Sequence, residues 1–309
     1  SMHLSRLLDY FLCYLYHLLI ETSIIKRRGA MLKRRTVLIT GGSRGIGHAI
    51  ALRFAAAGAN IVIMTKDAPD NIETALDQIA SSGGESLALA VDVADSNAIK
   101  RAVAEAVTRF GGIDILVNNT SATCFTDTLH TLPEQFDLVI STSVRAAFFM
   151  SQACFPYLKE AMNPHIINIS PPLHMDSHWF KDHLAFSLAK YAMSLCTLGM
   201  SVEFKEAGIA VNSLWPKTTI ATQTIKDHFT PKVYAGSRWP SIMADAAYEL
   251  AIRNSKECTG QFFTDEALLR EKGVEDFSQY AVSLDTPLMQ ALFIPMEDHL
   301  NQISQDLFL

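Results

Sequence analysis

The stretch T-V-L-I-T-G-G-S-R-G-I-G, from Thr36 to Gly47, decides the fold of this chain. An apolar, β-branched run leads into a cluster of glycines, and apolar residues at helical spacing follow from Ile46 to Phe54. This pattern predicts a strand, a tight turn and a helix. Glycines let the backbone turn sharply and approach a ligand, and the N–H groups at the start of a helix attract phosphate. We therefore expect the turn to bind the pyrophosphate of a dinucleotide.

Composition limits the classes of protein to which the chain can belong. Its 309 residues are 49% apolar, which is enough for one large globular domain or two small ones. A net charge of −6 argues against a nucleic-acid partner. The five cysteines are scattered singly without a C-x-x-C pair. The sequence therefore predicts no metal site and favours free thiols in a reducing, cytoplasmic location.

Residues 1–30 differ from the rest of the chain. Leucines recur there at helical spacing, and charged residues interrupt any run long enough to span a bilayer. The basic cluster at residues 26–28 follows the apolar part, which is the reverse of a signal peptide. We interpret the segment as an amphipathic N-terminal extension. Three alternatives remain: upstream sequence before a true start at Met31, packing against a partner, or contact of residues 2–30 with a membrane surface.

Beyond Met31 the sequence alternates short apolar runs with helical patterns. Continuous apolar strands separated by helices are typical of a parallel sheet covered on both faces. The sequence therefore predicts an α/β fold, a single doubly wound Rossmann-type domain at residues 31–264, with about seven strands and helices on both faces. Residues 265–309 are poorly periodic and are interpreted as a C-terminal extension that wraps the domain or a neighbouring subunit. The predicted strands are 36–40, 60–65, 86–91, 113–118, 165–169 and 209–214, and the main predicted helices are 70–80, 95–110, one from Pro133, and 181–206.

The glycine-rich turn has the form of a known motif. Its T-G-x-x-x-G-I-G pattern resembles the short-chain dehydrogenase/reductase family, in which N-N-A-G stands where this chain has Asn118-Asn119-Thr120-Ser121. Further runs, S-P-P-L from Ser170, W-P-K-T from Trp215 and T-G from Thr259, resemble the hydroxysteroid dehydrogenase-like protein two branch over about residues 33–285. Longer members of that branch add a sterol-carrier domain, and these residues end before one. The resemblance implies an oxidoreductase that binds a nicotinamide cofactor.

The end of the second strand bears on the choice of cofactor. Thr65 occupies the position at which an acidic residue would accept from the ribose 2′-OH of NAD. Lys66 and Arg44 instead offer two cations for the 2′-phosphate of NADP. NADP(H) is therefore favoured over NAD(H). The alternative is that both cations are solvated, with Asp67 pairing with Lys66.

The resemblance extends the predicted cofactor site to the ends of other strands. It implies that Asp92 meets the adenine and that Pro216 lies beside the nicotinamide. The predicted cofactor-binding residues are Thr40, Gly41, Ser43, Arg44, Gly45, Ile46, Gly47, Lys66, Asp92, Val93, Asn118, Lys190, Pro216 and Thr218.

The catalytic pair of the family is incomplete in this chain. Ordinary members reduce a carbonyl with Y-x-x-x-K, in which both residues share a helix face and the lysine charge lowers the tyrosine pKa. Here the motif runs from Phe186 to Lys190, as F-S-L-A-K. The family serine aligns with Pro171 and the family asparagine with Ser143, so only Lys190 is retained. The sequence therefore predicts a degenerate catalytic site.

One histidine offers a substitute proton donor. His183 precedes Phe186 by about one helical turn, whereas Tyr191 is expected to face elsewhere. The alternative is that His183 belongs to a polar surface loop. Two hypotheses about function follow. The first is an NADP(H)-dependent carbonyl/alcohol oxidoreductase that acts on a small or lipid-like carbonyl. The second is an NADP-binding protein without turnover, serving as a sensor, a scaffold or a partner of an active relative.

Two helical segments bear on assembly. The segments near residues 134–160 and 181–206 carry more apolar residues than one helix face can bury in a monomer. In the family these two helices form the main contact between subunits. We therefore expect a homodimer or homotetramer.

Overall fold

The core of the protein is one parallel sheet. The computed structural model describes residues 32–295, 300–303 and 307–308, so the extension predicted for residues 1–30 lies outside the described residues. The strands are β1 (Thr36–Thr40), β2 (Asn60–Thr65), β3 (Ser86–Ala90), β4 (Ile115–Asn118), β5 (His165–Ile169), β6 (Ala210–Trp215) and β7 (Phe262–Thr264). Their order in the sheet is β3-β2-β1-β4-β5-β6-β7, and every pairing is parallel. The predicted α/β architecture is confirmed.

Helices connect these strands. They are α1 (Gly45–Ala56), α2 (Pro69–Ser81), α3 (Ser96–Phe110), α4 (Pro133–Ile140), α5 (Ala146–Leu158), α6 (Leu184–Glu203), α7 (Gln223–His228), α8 (Pro231–Ala235), α9 (Ser241–Ala251) and α10 (Asp265–Glu271). A π-helical turn, Ser141–Arg145, joins α4 to α5.

Alternation along β1 explains why both faces of the sheet are covered. Successive strand residues point to opposite faces, and all five residues of β1 are buried. Val37 and Ile39 belong to an apolar cluster with residues of α1 and α9. Leu38 belongs to a second cluster, with residues of α3 and α5. The chain therefore forms a single domain with one apolar layer on each face of the sheet.

The order of the strands creates the crevice that positions the site. β1 pairs with β2 on one side and with β4 on the other, so the connections run in opposite directions from this point. In open α/β sheets, ligands bind outside the carboxyl ends of the strands at such a reversal. The glycine-rich turn at residues 41–47 follows β1 directly and therefore lies at this crevice.

The helix predicted at residues 181–206 is shorter in the structure. A 3₁₀ turn covers Ser177–Phe180, and α6 begins only at Leu184. Asp182 separates the two elements with a φ of 67°, a left-handed conformation that a helix cannot contain. The prediction was wrong over 181–183 because side-chain periodicity does not reveal a backbone reversal.

The helical stretch Pro133–Leu158 is the one segment among the described residues that is long and apolar enough to cross a membrane. It packs against α3 and α6 within the helical layer. These contacts are the ordinary environment of a core helix in a globular domain.

Residues that follow β7 pack on the same domain. Phe293 is completely buried, and the indole N–H of Trp215 donates to the carbonyl oxygen of Leu292 at 2.8 Å. Residues 289–291 also pair with the segment that follows β6, through the bonds from Thr219 N to Met289 O and from Ala291 N to Lys217 O. This part of the tail therefore completes the carboxyl edge of the sheet around β6.

Candidate active site

The glycine-rich turn has the shape that a phosphate-binding turn requires. Gly41 and Gly45 adopt φ values of 67° and 59°, which favour glycine. A side chain at Gly47 would overlap the carbonyl oxygen of Gly41, so the start of α1 lies directly against the turn. The side-chain amide of Asn119 donates to the carbonyl oxygens of Thr40 and Gly41 at 3.0 and 3.2 Å. These contacts hold the turn in place before any ligand binds.

The two predicted cations lie directly after β2 and in the glycine-rich turn. Lys66 pairs with Asp92 at 2.5 Å, and Arg44 lies 3.8 Å from Asp67. Asp67 also accepts a hydrogen bond from the hydroxyl of Ser43. The alternative pairing of Asp67 with Lys66 was therefore wrong. Lys66 and Arg44 keep 60% and 71% of their side chains exposed, so both cations are accessible to an anionic ligand.

Electrostatics at this edge favour a charged Asp92. The hydrogen bond from Lys66 lowers the pKa of Asp92, against an opposing effect of burial. Its carboxylate also accepts from the backbone N–H of Ala94 at 2.9 Å. Asp92 is thereby fixed in position at the end of β3, where the sequence analysis expected it to meet the adenine.

A cavity of about 320 Å³ is lined by residues of the glycine-rich turn and of α6. Pocket volumes of this order hold small ligands and parts of cofactors. Several residues predicted from the sequence line it, namely Gly41, Arg44, Gly45, Ile46, Phe186, Lys190 and Pro216. The remaining predicted residues do not line this cavity: Thr40, Ser43, Gly47, Lys66, Asp92, Val93, Asn118, Ser143, Pro171, His183 and Thr218.

Lys190 is buried in the wall of this cavity. Its Nζ donates to the carbonyl oxygen of Ile169 at 3.0 Å and lies 5.4 Å from the centre of the Trp215 ring. Burial lowers the pKa of Lys190 from 10.5 to about 7. The amine is therefore poised between its neutral and charged forms near neutral pH.

Phe186 lies one helical turn before Lys190 and also lines the cavity. Its ring is 7% exposed, with ring centres 5.2 Å from Phe125 and 6.1 Å from Phe293. The neighbouring Tyr191 does face elsewhere, because its hydroxyl donates to the carbonyl oxygen of His174 at 2.6 Å. The ring of Phe186 therefore lies among aromatic carbons, and a phenyl ring offers no proton.

The two other substituted positions carry local contacts of their own. The carbonyl oxygen of Pro171 accepts from the hydroxyl of Ser194 at 2.5 Å. Ser143 is fully buried in the π-helical turn, and its hydroxyl lies 2.9 Å from that of Ser121. Such π-helical turns are frequent at functional sites. Ser121 lines the cavity, so Ser143 reaches the site through one intervening hydroxyl.

His183 lies in a different place from the one that a proton relay needs. It lines a second cavity, of about 260 Å³, together with Trp179 and Gln290. Its Nδ1 lies 2.9 Å from the hydroxyl of Ser187, and burial lowers its pKa. The structure therefore does not bring His183 together with Lys190 in the larger cavity. Its burial also contradicts the alternative of a histidine in a polar surface loop.

Two buried oxygens near the cavity have no hydrogen-bond partner within the described part of the chain. They are Thr218 Oγ1 and Asn118 Oδ1. Both residues were predicted to bind the cofactor. Buried polar atoms are normally satisfied, so an unpartnered oxygen at each position fits a ligand that supplies the missing donor.

Sequence reasoning missed the apolar wall of the cavity. Phe125, Ile225, Phe229, Leu292 and Ile303 all line it. They come from three separate parts of the chain, namely the loop after β4, the α7 region and the tail after β7, and no local pattern brings those parts together. The tail's position depends on tertiary contacts such as that between Phe229 and Phe308, whose ring centres lie 4.5 Å apart.

Comparison with known proteins agrees with this geometry. The family model described as short chain dehydrogenase matches residues 35–232, which is more than half of the chain. The chain belongs to the short-chain dehydrogenase family. The short-chain dehydrogenase family binds a nicotinamide cofactor. In this chain the glycine-rich turn and Lys190 line one cavity.

Individual relatives support this assignment. The chain is 47% identical over 265 residues to hydroxysteroid dehydrogenase-like protein 2 of Xenopus laevis, covering 84% of this chain and 63% of that protein. The chain thus spans less than two thirds of such curated relatives. A solved Xanthomonas campestris structure is 43% identical with a TM-score of 0.82, covering 86% of this chain and 99% of that one. A metagenomic short-chain oxidoreductase in complex with NADP is 25% identical with a TM-score of 0.65, covering 76% and 98%.

Proposed function

We propose that this short-chain dehydrogenase binds NADP(H) and has a degenerate catalytic site, so that any carbonyl/alcohol oxidoreduction is slow. One observation carries the proposal. Phe186 takes the place of the proton-donating tyrosine, one helical turn from Lys190, and its ring is surrounded by the aromatic carbons of Phe125 and Phe293. A phenyl ring cannot transfer a proton, and a positioned acid or base typically contributes about 10²- to 10⁴-fold to rate.

The residues around the cavity suit NADP(H). The glycine-rich turn would hold the pyrophosphate at the start of α1. Lys66 and Arg44 would pair with the 2′-phosphate, and their exposed side chains lie at the end of β2 and in the turn. The complex of the metagenomic relative with NADP supports the same choice. The unpartnered Thr218 hydroxyl and the buried Lys190 amine would hold the nicotinamide half of the cofactor.

The nicotinamide ring, when bound, supplies or accepts a hydride. The chain's own contribution is to orient a carbonyl and to deliver a proton to its oxygen. Lys190 and Arg44 are the titratable groups among the described residues that line the cavity. Burial lowers the pKa of Lys190 to about 7, so its Nζ can take up or release a proton near neutral pH. Residual turnover would therefore depend on Lys190.

The shape of the cavity indicates the class of substrate. Phe125, Phe186, Phe229 and Leu292 give the cavity an apolar lining. Such a lining favours a small or lipid-like carbonyl over a charged sugar or acid. The chain covers only part of its curated relatives, so this substrate class belongs to the proposal.

A second candidate is an NADP-binding protein without turnover. It is favoured by the position of the Phe125 ring, 5.2 Å from that of Phe186, which narrows the space in which a carbonyl would meet the cofactor. The loss of the serine and asparagine positions to Pro171 and Ser143 points the same way. In this case the protein would serve as a sensor, a scaffold or a partner of an active relative.

We also propose that the protein is a homodimer or homotetramer. Leucines stay exposed along one side of α6, with Leu188, Leu195 and Leu198 at 44%, 58% and 42%. Leu138 in α4 and Phe148 in α5 are likewise about half exposed, at 50% and 47%. Exposed apolar side chains of this kind on neighbouring helices are typical of a subunit contact.

The test of the catalytic proposal is Phe186→Tyr. Turnover of NADPH with a reactive apolar diketone is expected to rise at least about tenfold, because the new hydroxyl lies one helical turn from the Lys190 charge. Phe125→Tyr is a matched control, since it adds a hydroxyl to the same wall on a different element. Equal and rapid turnover by the wild type and Phe186→Tyr would contradict the degenerate-site proposal. NADPH binding without turnover by either protein would support the second candidate.

A further inference from the structure

Two acidic residues lie buried beneath the segment that follows β6. Asp265 and Glu266 come directly after β7 and begin α10. They are 0% and 4% exposed, a rare state for carboxylates unless they are paired. Neither residue lines the cofactor cavity. Direct contact with a ligand in that cavity therefore does not explain why these two carboxylates are buried.

Asp265 holds the backbone of this segment. Its Oδ1 accepts from the backbone N–H of Lys217 at 2.9 Å and from that of Glu266 at 2.7 Å. Burial raises the pKa of Asp265 to about 6, against the effect of these two N–H donors. Its other oxygen, Oδ2, has no hydrogen-bond partner among the described residues, so the side chain is held through Oδ1 by the backbone N–H groups of Lys217 and Glu266.

Glu266 links three cations around the same segment. Its Oε1 accepts from Arg270 at 2.8 and 2.9 Å and from Lys217 Nζ at 3.3 Å. Its Oε2 accepts from Arg238 at 2.7 Å. Burial opposes the charge of Glu266, but the bonds from Arg238 and Arg270 outweigh it and lower the pKa to about 2. The carboxylate is therefore firmly ionised.

Arg238 connects Glu266 to the backbone of residues 219–221. Its backbone N–H donates to the carbonyl oxygen of Thr219, and its own carbonyl oxygen accepts from the N–H of Ala221, both at 2.9 Å. Asp265 thus fixes the segment at Lys217, and Glu266 fixes it at residues 219–221 through Arg238. Between the two anchors lies Thr218, which is fully buried and has an unpartnered hydroxyl.

The anchored segment borders the part of the cavity that would hold the nicotinamide. Pro216, Thr219 and Ile220 line the cavity together with Lys190. A dinucleotide with its pyrophosphate on the glycine-rich turn would extend its reactive ring toward Lys190. We propose that Asp265 and Glu266 are positioning residues that hold residues 216–221 in the shape that receives the nicotinamide end of the cofactor. This inference rests on the proposed binding of NADP(H).

Two ligands separate this role from a purely structural one. NADPH carries both ends of the cofactor, and adenosine 2′,5′-bisphosphate carries only the adenine end. Asp265→Ala and Glu266→Ala are expected to weaken NADPH binding at least about tenfold and to change adenosine 2′,5′-bisphosphate binding less than about twofold. Asp265→Asn keeps an oxygen that can accept from Lys217 N–H, so it should recover most of the NADPH affinity. Both dissociation constants can be measured by calorimetry at one salt concentration.

Asp245→Asn is the matched control. Asp245 is also a paired carboxylate, bonded to Arg53 at 2.9 Å and to the Tyr280 hydroxyl at 2.8 Å, but it does not touch residues 216–221. It should leave the affinities for both ligands unchanged. Thr218→Val gives a test that spares the buried charges, since it removes only the unpartnered hydroxyl. It should weaken NADPH binding selectively, and it keeps the inference testable if Asp265→Ala does not fold.

Each outcome decides between the claims. Unchanged NADPH affinity in folded Asp265→Ala and Glu266→Ala, or in Thr218→Val, overturns the inference alone. An equal loss of affinity for both ligands also overturns it, because the effect would then be general. A wild-type protein that does not bind NADPH overturns the proposed function and this inference with it.

Discussion

Replacing Lys190 with methionine should stabilise the cofactor-free protein. Methionine keeps an unbranched side chain but removes an amine that is buried without a carboxylate partner among the described residues. The fall in the pKa of Lys190 from 10.5 to about 7 corresponds, at ~1.4 kcal/mol per pH unit, to about 5 kcal/mol of lost stability at most. Leaving the carbonyl oxygen of Ile169 unpaired costs about 1–3 kcal/mol in return. The expected net gain at pH 7 is about 2 kcal/mol.

The direction of the pH dependence follows from the same values. The folded pKa lies below that of the unfolded chain, so between about pH 7 and 10.5 the unfolded chain binds more protons. The stability of the wild type therefore rises with pH in this window relative to Lys190→Met. Urea unfolding of both proteins at pH 7 and pH 9.5 measures the difference, which should change by about 3 kcal/mol in favour of the wild type. A variant that is less stable at pH 7, or a difference that does not change with pH, would refute the reasoning.

Three further outcomes are expected from the site and its surroundings. Lys66→Asp should reverse the preference for NADPH over NADH in titrations at fixed salt, because it removes a cation for the 2′-phosphate; an unchanged order would exclude that role. Gly47→Ala should weaken NADPH binding at least about tenfold, since its Cβ would overlap the Gly41 carbonyl oxygen, and an unaltered affinity would show that the turn is not the pyrophosphate site. Leu195→Glu with Leu198→Glu should give a monomer in light scattering; a wild type that is already monomeric at micromolar concentration would remove the proposed subunit contact.

The sheet was predictable because its signals are local. Each apolar run of strand length became a strand, although β3 is only partly buried, and the glycines after Thr40 marked the turn and the start of α1. The start of α6 at Leu184 was not predictable, because nothing in the neighbouring sequence indicates the left-handed conformation of Asp182. His183 directly follows Asp182 and lines a different cavity from Lys190.

The catalytic end of the site depends on contacts between distant segments. Lys190 was found from its motif, but its burial depends on Trp215 and on the strand end at Ile169. Asp265 lies 48 residues after Lys217 along the chain, so their hydrogen bond could not be predicted from either local pattern. Phe293 contacts Phe186 and Trp215 from a tail that has little periodicity. Such tertiary contacts determine the environment of the cavity, and the spacing of residues along the sequence does not reveal them.

The most direct test of the account is a paired measurement on the wild-type protein, with NADPH and NADH titrated at one fixed salt concentration and NADPH consumption then followed with an apolar diketone. We expect NADPH to bind at least about tenfold more tightly than NADH, because Lys66 and Arg44 would pair with the 2′-phosphate. We also expect consumption to be slow or absent, because Phe186 supplies no proton. Equal affinity for the two cofactors, or turnover at about 10 s⁻¹ as in an ordinary enzyme, would contradict the account.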